Sequence, residues 1–162
     1  MKVNVKARLC LRGFKEFEKP RSDSPTGSVQ MLRTVLSIAA NERWKNECMD
    51  VTSAFLQGES LQRDVYVKPP KERQREGILW RMKKAAYGLF DASRSWYLKV
   101  VSVFEDQNMK KVIGDDAVWY LHTEGKLEGV VILHVDDILA LGSDAFFFMV
   151  NTKIKTHSSL AK

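Results

Sequence analysis

The stretch Val130–Leu141, VVILHVDDILAL, holds two largely apolar runs, Val130–Val135 and Ile138–Leu141, separated only by Asp136 and Asp137. Runs of this length, rich in β-branched residues and bounded by Gly129 and Gly142, predict buried strands. With almost no residues to spare between them, they predict a tight β-hairpin carrying both acids at or beside its tip. A turn chosen for stability alone would be Asn-Gly or Asp-Gly, because type I′ geometry needs positive φ at both central positions. Asp-Asp answers that need poorly. Two carboxylates on an apolar hairpin are also costly unless a cation or hydrogen bonds satisfy them. The pattern therefore points to chemistry at the tip.

A third acid stands far upstream, in Cys48–Gly58, CMDVTSAFLQG. The spacing predicts a short strand ending at Val51, with Asp50 near its end, and then a turn of small residues opening a helix. A carboxylate at a strand end, followed by exposed backbone N–H groups, is a place where a metal and an anion can meet. A simpler reading has Asp50 capping the next segment of chain. Asp50, Asp136 and Asp137 together are oxygen donors of the kind hard Mg²⁺ prefers, whereas His and Cys suit softer ions. Two-metal phosphoryl transfer uses paired ions about 3.5–4 Å apart, held by acids that the fold collects from separate strands.

Around these acids the chain alternates between strand and helix patterns without a strict order. Ala117–Leu121 predicts a strand, and Glu124-Gly125 with Glu128-Gly129 brackets a turn into the hairpin. Asp91 is a predicted N-cap for a helix whose Trp96, Val100 and Val103 (or Phe104) recur at helical spacing, with Arg94 and Lys99 toward its other face and Gln107-Asn108 at its end. Tyr87-Gly88 marks a turn, and Asp64–Pro70 with Ile78–Lys83 predicts a hairpin of two brief strands around a charged loop. Thr26 or Ser28 caps a helix with Val29, Leu32, Leu36 and Ala39 (or Ala40) inward, ending near Trp44. Val3–Phe14 alternates Lys6, Arg8 and Arg12 with Val5, Ala7, Leu9 and Leu11, the period of a strand with one basic face. That face is either simply solvated or grips phosphates. Past Gly142, Phe146-Phe147-Phe148 offers a helix start. The mixture predicts an α+β fold, a mainly antiparallel sheet covered on one face by helices.

At 162 residues, 44% hydrophobic and 28% charged, the sequence fits one globular domain. Its net charge of +6 favours an anionic partner such as nucleic acid. No apolar run approaches the roughly 18 residues of a membrane span, and no signal-peptide pattern follows Met1. Cys10 and Cys48 lack metal or disulfide spacing, so the expectation is an intracellular protein with reduced thiols, neither secreted nor membrane-bound.

Several blocks taken together resemble the reverse transcriptase of copia-type (Ty1/copia) long-terminal-repeat retrotransposons. They are KARLCLRGF (Lys6–Phe14), DSPT (Asp23–Thr26), LRTVLSIAA (Leu32–Ala40), MDVTSAFLQG (Met49–Gly58), VYVKPP (Val65–Pro70), LWRMKKAAYGLFDASRSWY (Leu79–Tyr97) and HVDDILALG (His134–Gly142). The resemblance implies a partial reverse transcriptase domain over residues 3–157, with a palm at about 27–58 and 91–145 and partial fingers at about 3–26 and 59–90. The family's primer grip, thumb, ribonuclease H, protease and integrase would lie outside this sequence. It implies RNA-directed DNA polymerisation, with an RNA or DNA template-primer and deoxynucleoside triphosphates as partners, and the remainder of the Pol polyprotein beside it. The setting would be the cytoplasm or retrotransposon particles. Asp50, Asp136 and Asp137 would form the catalytic triad and, with Val51, hold two Mg²⁺ ions, Mn²⁺ being an alternative. Thr52, Ser53 and Ala54 would cradle the triphosphate, and Phe55 would lie under the sugar. Tyr87 and Gly88 would approach the nucleotide and template, and Lys6 and Arg8 its phosphates, while Arg12 and Arg94 would touch nucleic acid. Two departures from the family pattern stand out: His134 where tyrosine is commoner, and Asp91-Ala92-Ser93-Arg94 in place of a Gln-Ala-Pro-Arg-like run. The alternative to an active polymerase is a degenerate or co-opted remnant that at most binds nucleic acid.

Overall fold

The apolar runs sit at the centre of a five-stranded antiparallel sheet in a computed structural model that describes residues 9–17, 19–51 and 53–156. In chain order the elements are α1 (Val29–Asn41), β1 (Lys45–Asp50), α2 (Ala54–Gln57), β2 (Tyr66–Val67), β3 (Trp80–Arg81), α3 (Ala92–Asp106), β4 (Lys110–Val112), β5 (Asp115–Thr123), β6 (Lys126–His134), β7 (Asp137–Gly142) and α4 (Asp144–Thr156). The large sheet runs β1-β7-β6-β5-β4, and β2 and β3 form a separate small sheet.

Side chains alternate across a strand, so each central strand feeds two cores. Trp119, Val131, Leu133, Ile138 and Ala140 face α3 and α4, where Trp96, Tyr97, Val100, Phe104 and Phe146 meet them. Val118, Val130, Ile132 and Leu141 face the opposite way, onto Val35 and Ala39 of α1. Helices thus cover both faces, and the expectation of one covered face is corrected. Burial on both sides is why β6 and β7 carry nearly continuous apolar runs instead of an apolar–polar alternation.

Gly129 and Gly142 do more than bound these runs. They pair across the β6–β7 ladder, and a Cβ on either would come within 2.4 Å of the Phe146 ring. Phe146, fully buried, occupies the space their missing side chains leave. The turn before β6 is Glu124-Gly125 alone, both at positive φ, with Glu128 and Gly129 inside the strand.

Ser28 caps α1, its hydroxyl accepting from the Met31 N–H at 3.2 Å. The helix ends at Asn41, short of Trp44, and buries Val35 and Ala39 while Leu36 stays 44% exposed. Leu32 and Ala39 face inward as predicted, but Val35 and Met31 reach the sheet in place of Leu36 and Val29. Asp91 precedes α3 but makes no side-chain cap. Its carboxylate instead accepts two hydrogen bonds from Arg63, at 3.1 Å each, and Arg63 Nη2 also lies 2.6 Å from Glu16 Oε2. That second contact lacks hydrogen-bond alignment and acts as a charge pairing.

Of the predicted basic strand Val3–Phe14, residues 3–8 lie outside the described residues, and Leu9–Arg12 form no strand. Leu11 and Gly13 donate their N–H groups to the Tyr87 and Gly88 carbonyls, at 2.7 and 3.0 Å, before a 3₁₀ turn at Gly13–Lys15. The two brief strands pair as predicted but shrink to two residues each.

Candidate active site

The ladder between β1 and β7 sets Asp50 directly opposite Asp137, and that between β6 and β7 sets Asp137 opposite His134. Opposed Cα atoms in such ladders are about 4.5–5.5 Å apart. Two strands distant in sequence thus deliver two acids to one corner of the sheet, with Asp136 next to Asp137 along the chain. The turn itself is Val135-Asp136, one residue earlier than the Asp-Asp tip read from the sequence, because the strand pairing starts at His134↔Asp137. Asp137 is the first residue of β7, and Val135 has left the strand.

Val135 carries φ of +59°. A two-residue turn with positive φ at its first central position wants glycine there, and a β-branched residue in that region is an outlier. Strain of this kind costs on the order of 1–3 kcal/mol and persists only where neighbours over-determine it. One such neighbour is Trp96 on α3, 1% exposed, whose indole Nε1 donates to the Val135 carbonyl at 3.0 Å.

Asp50 and Asp137 are exposed and Asp136 is half-buried. A cleft of about 450 Å³ opens beside Asp50 and Asp137, lined among others by these two acids, His134, Cys48 and Leu32, while Asp136 is not part of its lining. In donor type and backbone placement these residues suit a hard divalent cation. Their side chains do not converge on one point: among the described residues no three or more His, Cys, Asp or Glu side chains are grouped as a metal would need. Like charges set opposite one another repel, which favours splayed carboxylates.

Beyond Asp50 the chain turns tightly. The buried Val51 accepts from the Ala54 N–H at 3.2 Å through its carbonyl, Ser53 adopts φ of +55°, and Ala54 is wholly buried. Thr52 lies outside the described residues, as do Lys6 and Arg8. Phe55 follows, half-buried, its ring 4.7 Å from that of Tyr87 at a tilt of 53°. The two aromatics that the resemblance singled out separately are therefore partners. Gly88 has φ of +92°, and a Cβ there would sit 2.0 Å from the Leu11 carbonyl oxygen, so this turn admits no side chain. Arg12 is exposed. Arg94 lies 3.5 Å from Asp23 and 5.6 Å over the Tyr97 ring. Asp23 is held below the ordinary carboxylate range mainly by its hydrogen bond from Arg21.

Nothing in the local pattern marks Trp96 as a partner of the hairpin, since an indole in an apolar helical stripe reads as core. Nor does it join Glu16, Arg63 and Asp91, whose pairing spans three separate segments.

A family model described as "Reverse transcriptase (RNA-dependent DNA polymerase)" matches residues 1–160. The chain belongs to this reverse transcriptase family. It is 32% identical over 148 residues to the Retrovirus-related Pol polyprotein from transposon TNT 1-94 of Nicotiana tabacum, a match covering 88% of this chain and 11% of that protein. Identity to the Retrovirus-related Pol polyprotein from transposon RE1 of Arabidopsis thaliana is 31% over 145 residues, 86% of this chain and 10% of the relative. The transposon Ty1-ER2 Gag-Pol polyprotein of Saccharomyces cerevisiae is 28% identical over 143 residues, 86% of this chain and 8% of that protein. These relatives mark the reverse transcriptase as copia-type, and the chain spans about a tenth of their length. No solved structure matches the chain significantly. No helix among the described residues is long and apolar enough to cross a membrane.

Proposed function

We propose that this chain carries the nucleotidyl-transfer centre of an RNA-directed DNA polymerase, with Asp50, Asp136 and Asp137 as its acids. The observation that carries the reading is the register pairing of Asp50 with Asp137, next to Asp136 at the turn, in a chain of the reverse transcriptase family. In this reading residues 27–58 and 91–145 are the palm and 3–26 and 59–90 parts of the fingers.

The reaction is attack of a primer 3′-hydroxyl on the α-phosphate of a deoxynucleoside triphosphate, with pyrophosphate leaving. Asp50, Asp136, Asp137 and the Val51 carbonyl would hold two Mg²⁺ ions, or Mn²⁺ in their place. When bound, such ions activate the attacking oxygen and neutralise charge on the leaving one. The chain's own part is placement, which converts a bimolecular encounter into an oriented one. Residues 52–54 receive the triphosphate, and Phe55, braced by Tyr87, presents a ring beneath the sugar. Gly88 lets template or nucleotide approach the backbone closely. Lys6, Arg8, Arg12 and Arg94 are the cations offered to the template-primer phosphates, with the remainder of the Pol polyprotein as neighbour.

Extension of a DNA primer on an RNA template in the presence of Mg²⁺ tests this. Template-dependent addition is expected. Binding of the primer-template without any extension would overturn the polymerase reading in favour of an inactive remnant that only binds nucleic acid.

A further inference from the structure

The Val135-Asp136 turn is held from outside the sheet. Val135 stands at φ +59°, where a β-branched residue does not rest of its own accord. Asp136 follows it directly, so the direction of that carboxylate depends on the turn keeping this shape. Its flanking strands fix His134 and Asp137 through ladder hydrogen bonds, but the two turn residues themselves lie outside the ladder. Among the described residues, one hydrogen bond from another element reaches them: Trp96 Nε1 donates to the Val135 carbonyl at 3.0 Å.

That donor is itself fixed. Trp96 is 1% exposed and is packed in the core that α3 shares with Val51, Ala54, Leu133 and Ile138. An indole N–H buried in apolar surroundings without a partner is costly, so the bond constrains both ends. Val51 and Ala54 flank the turn after Asp50, which makes the same indole-containing core the floor beneath both acid-bearing segments.

We infer that Trp96 is a positioning residue: its indole N–H clamps the strained Val135 backbone and thereby aims Asp136. The inference rests on the proposed polymerase reading for its catalytic consequence, while the clamp itself is a property of the fold. Glycine at position 135 takes positive φ without strain, so it removes the need for the clamp. Rescue by glycine is the signature that a merely space-filling tryptophan would not give.

Two readouts test this on the full chain. In NMR spectra of the unaltered protein, Val135 is expected to show the strong intraresidue HN–Hα NOE that marks positive φ. In Trp96→Phe, which keeps a ring but lacks the donor, that NOE weakens as Val135 relaxes; an unchanged NOE would overturn the inference whatever the activity. In primer extension, Trp96→Phe is expected to lower kcat about tenfold with little change in the nucleotide KM, and the same substitution in a Val135→Gly background to lower it by less than about threefold. Equal losses in both backgrounds would reduce Trp96 to a core residue and overturn the proposal. Should Trp96→Phe not fold, exchange of the Trp96 indole proton in the unaltered chain decides. Exchange markedly slower than that of the equally buried Trp119 indole, which has no hydrogen-bond partner among the described residues, is expected, and exchange as fast as that of Trp119 contradicts the clamp. Absence of extension by the unaltered chain would remove the polymerase reading, while the NOE and the indole exchange would still decide for or against the clamp.

Discussion

Asp50 and Asp137 stand directly opposite each other across the β1–β7 ladder, both exposed, at the corner where β1 ends and β7 begins. No cation-bearing side chain is paired with either acid among the ion pairs of the described residues. Like charges directly opposite on a sheet destabilise it. Asp137→Asn is therefore expected to raise the urea midpoint of unfolding slightly while harming the proposed chemistry, the trade expected where a fold keeps an unfavourable pair for a task. Equilibrium unfolding at low ionic strength checks this, and a lowered midpoint would mean that the carboxylate is satisfied within the fold.

The contact of Gly129 with the Phe146 ring predicts a steric coupling. A Cβ at position 129 would meet three ring atoms of Phe146 at 2.4, 2.5 and 2.7 Å. Gly129→Ala should cost roughly 1–3 kcal/mol, as overpacking of a full core does. In a Phe146→Ala background the same change should cost far less, because the obstructing ring is gone. A double-mutant cycle by chemical denaturation measures the coupling, and additive losses would contradict it.

Tyr97 predicts a pH dependence. Its ring is 6% exposed, and its hydroxyl donates to the Asp116 carbonyl at 2.9 Å. Burial, the largest cause, pushes its pKa above the ordinary tyrosine value of 10.0. In the window between the unfolded and folded values, the unfolded chain loses its proton first, so the folded state binds more protons and stability falls as pH rises. The contribution is thus intact below about pH 10 and declines above it. Tyr97→Phe should flatten that alkaline loss relative to the unaltered chain. Denaturation midpoints from pH 8 upward check it, and parallel curves for the two proteins would contradict it.

What the sequence made legible was mostly what periodicity and burial encode. The β6–β7 hairpin, the β2–β3 hairpin, the Ser28 cap and the inward face of α3 all arise from local pattern. The second covered face did not, although the continuous apolar runs of β6 and β7 are its trace. β4 escaped because Lys110-Lys111-Val112 is short and charged, and it becomes a strand only through pairing with β5. The one-residue shift of the hairpin turn has a physical origin as well. Valine argues for strand, so placing Val135 in the turn against its own preference needs ladder register and the Trp96 hydrogen bond, neither of which is local. At the site, the acids announced themselves as polar residues in apolar company. Their register, and the meeting of Phe55 with Tyr87, come from contacts between distant segments that no window of sequence contains.

The most direct test of the acids' role is primer extension by Asp136→Asn beside the unaltered chain, with circular dichroism of both. The substitution keeps size and shape and removes one charge from a half-buried position, so the fold should survive. Extension should fall by about a hundredfold or more with unchanged secondary structure. Substantial extension by a folded Asp136→Asn protein would contradict the assignment of this hairpin as the catalytic centre.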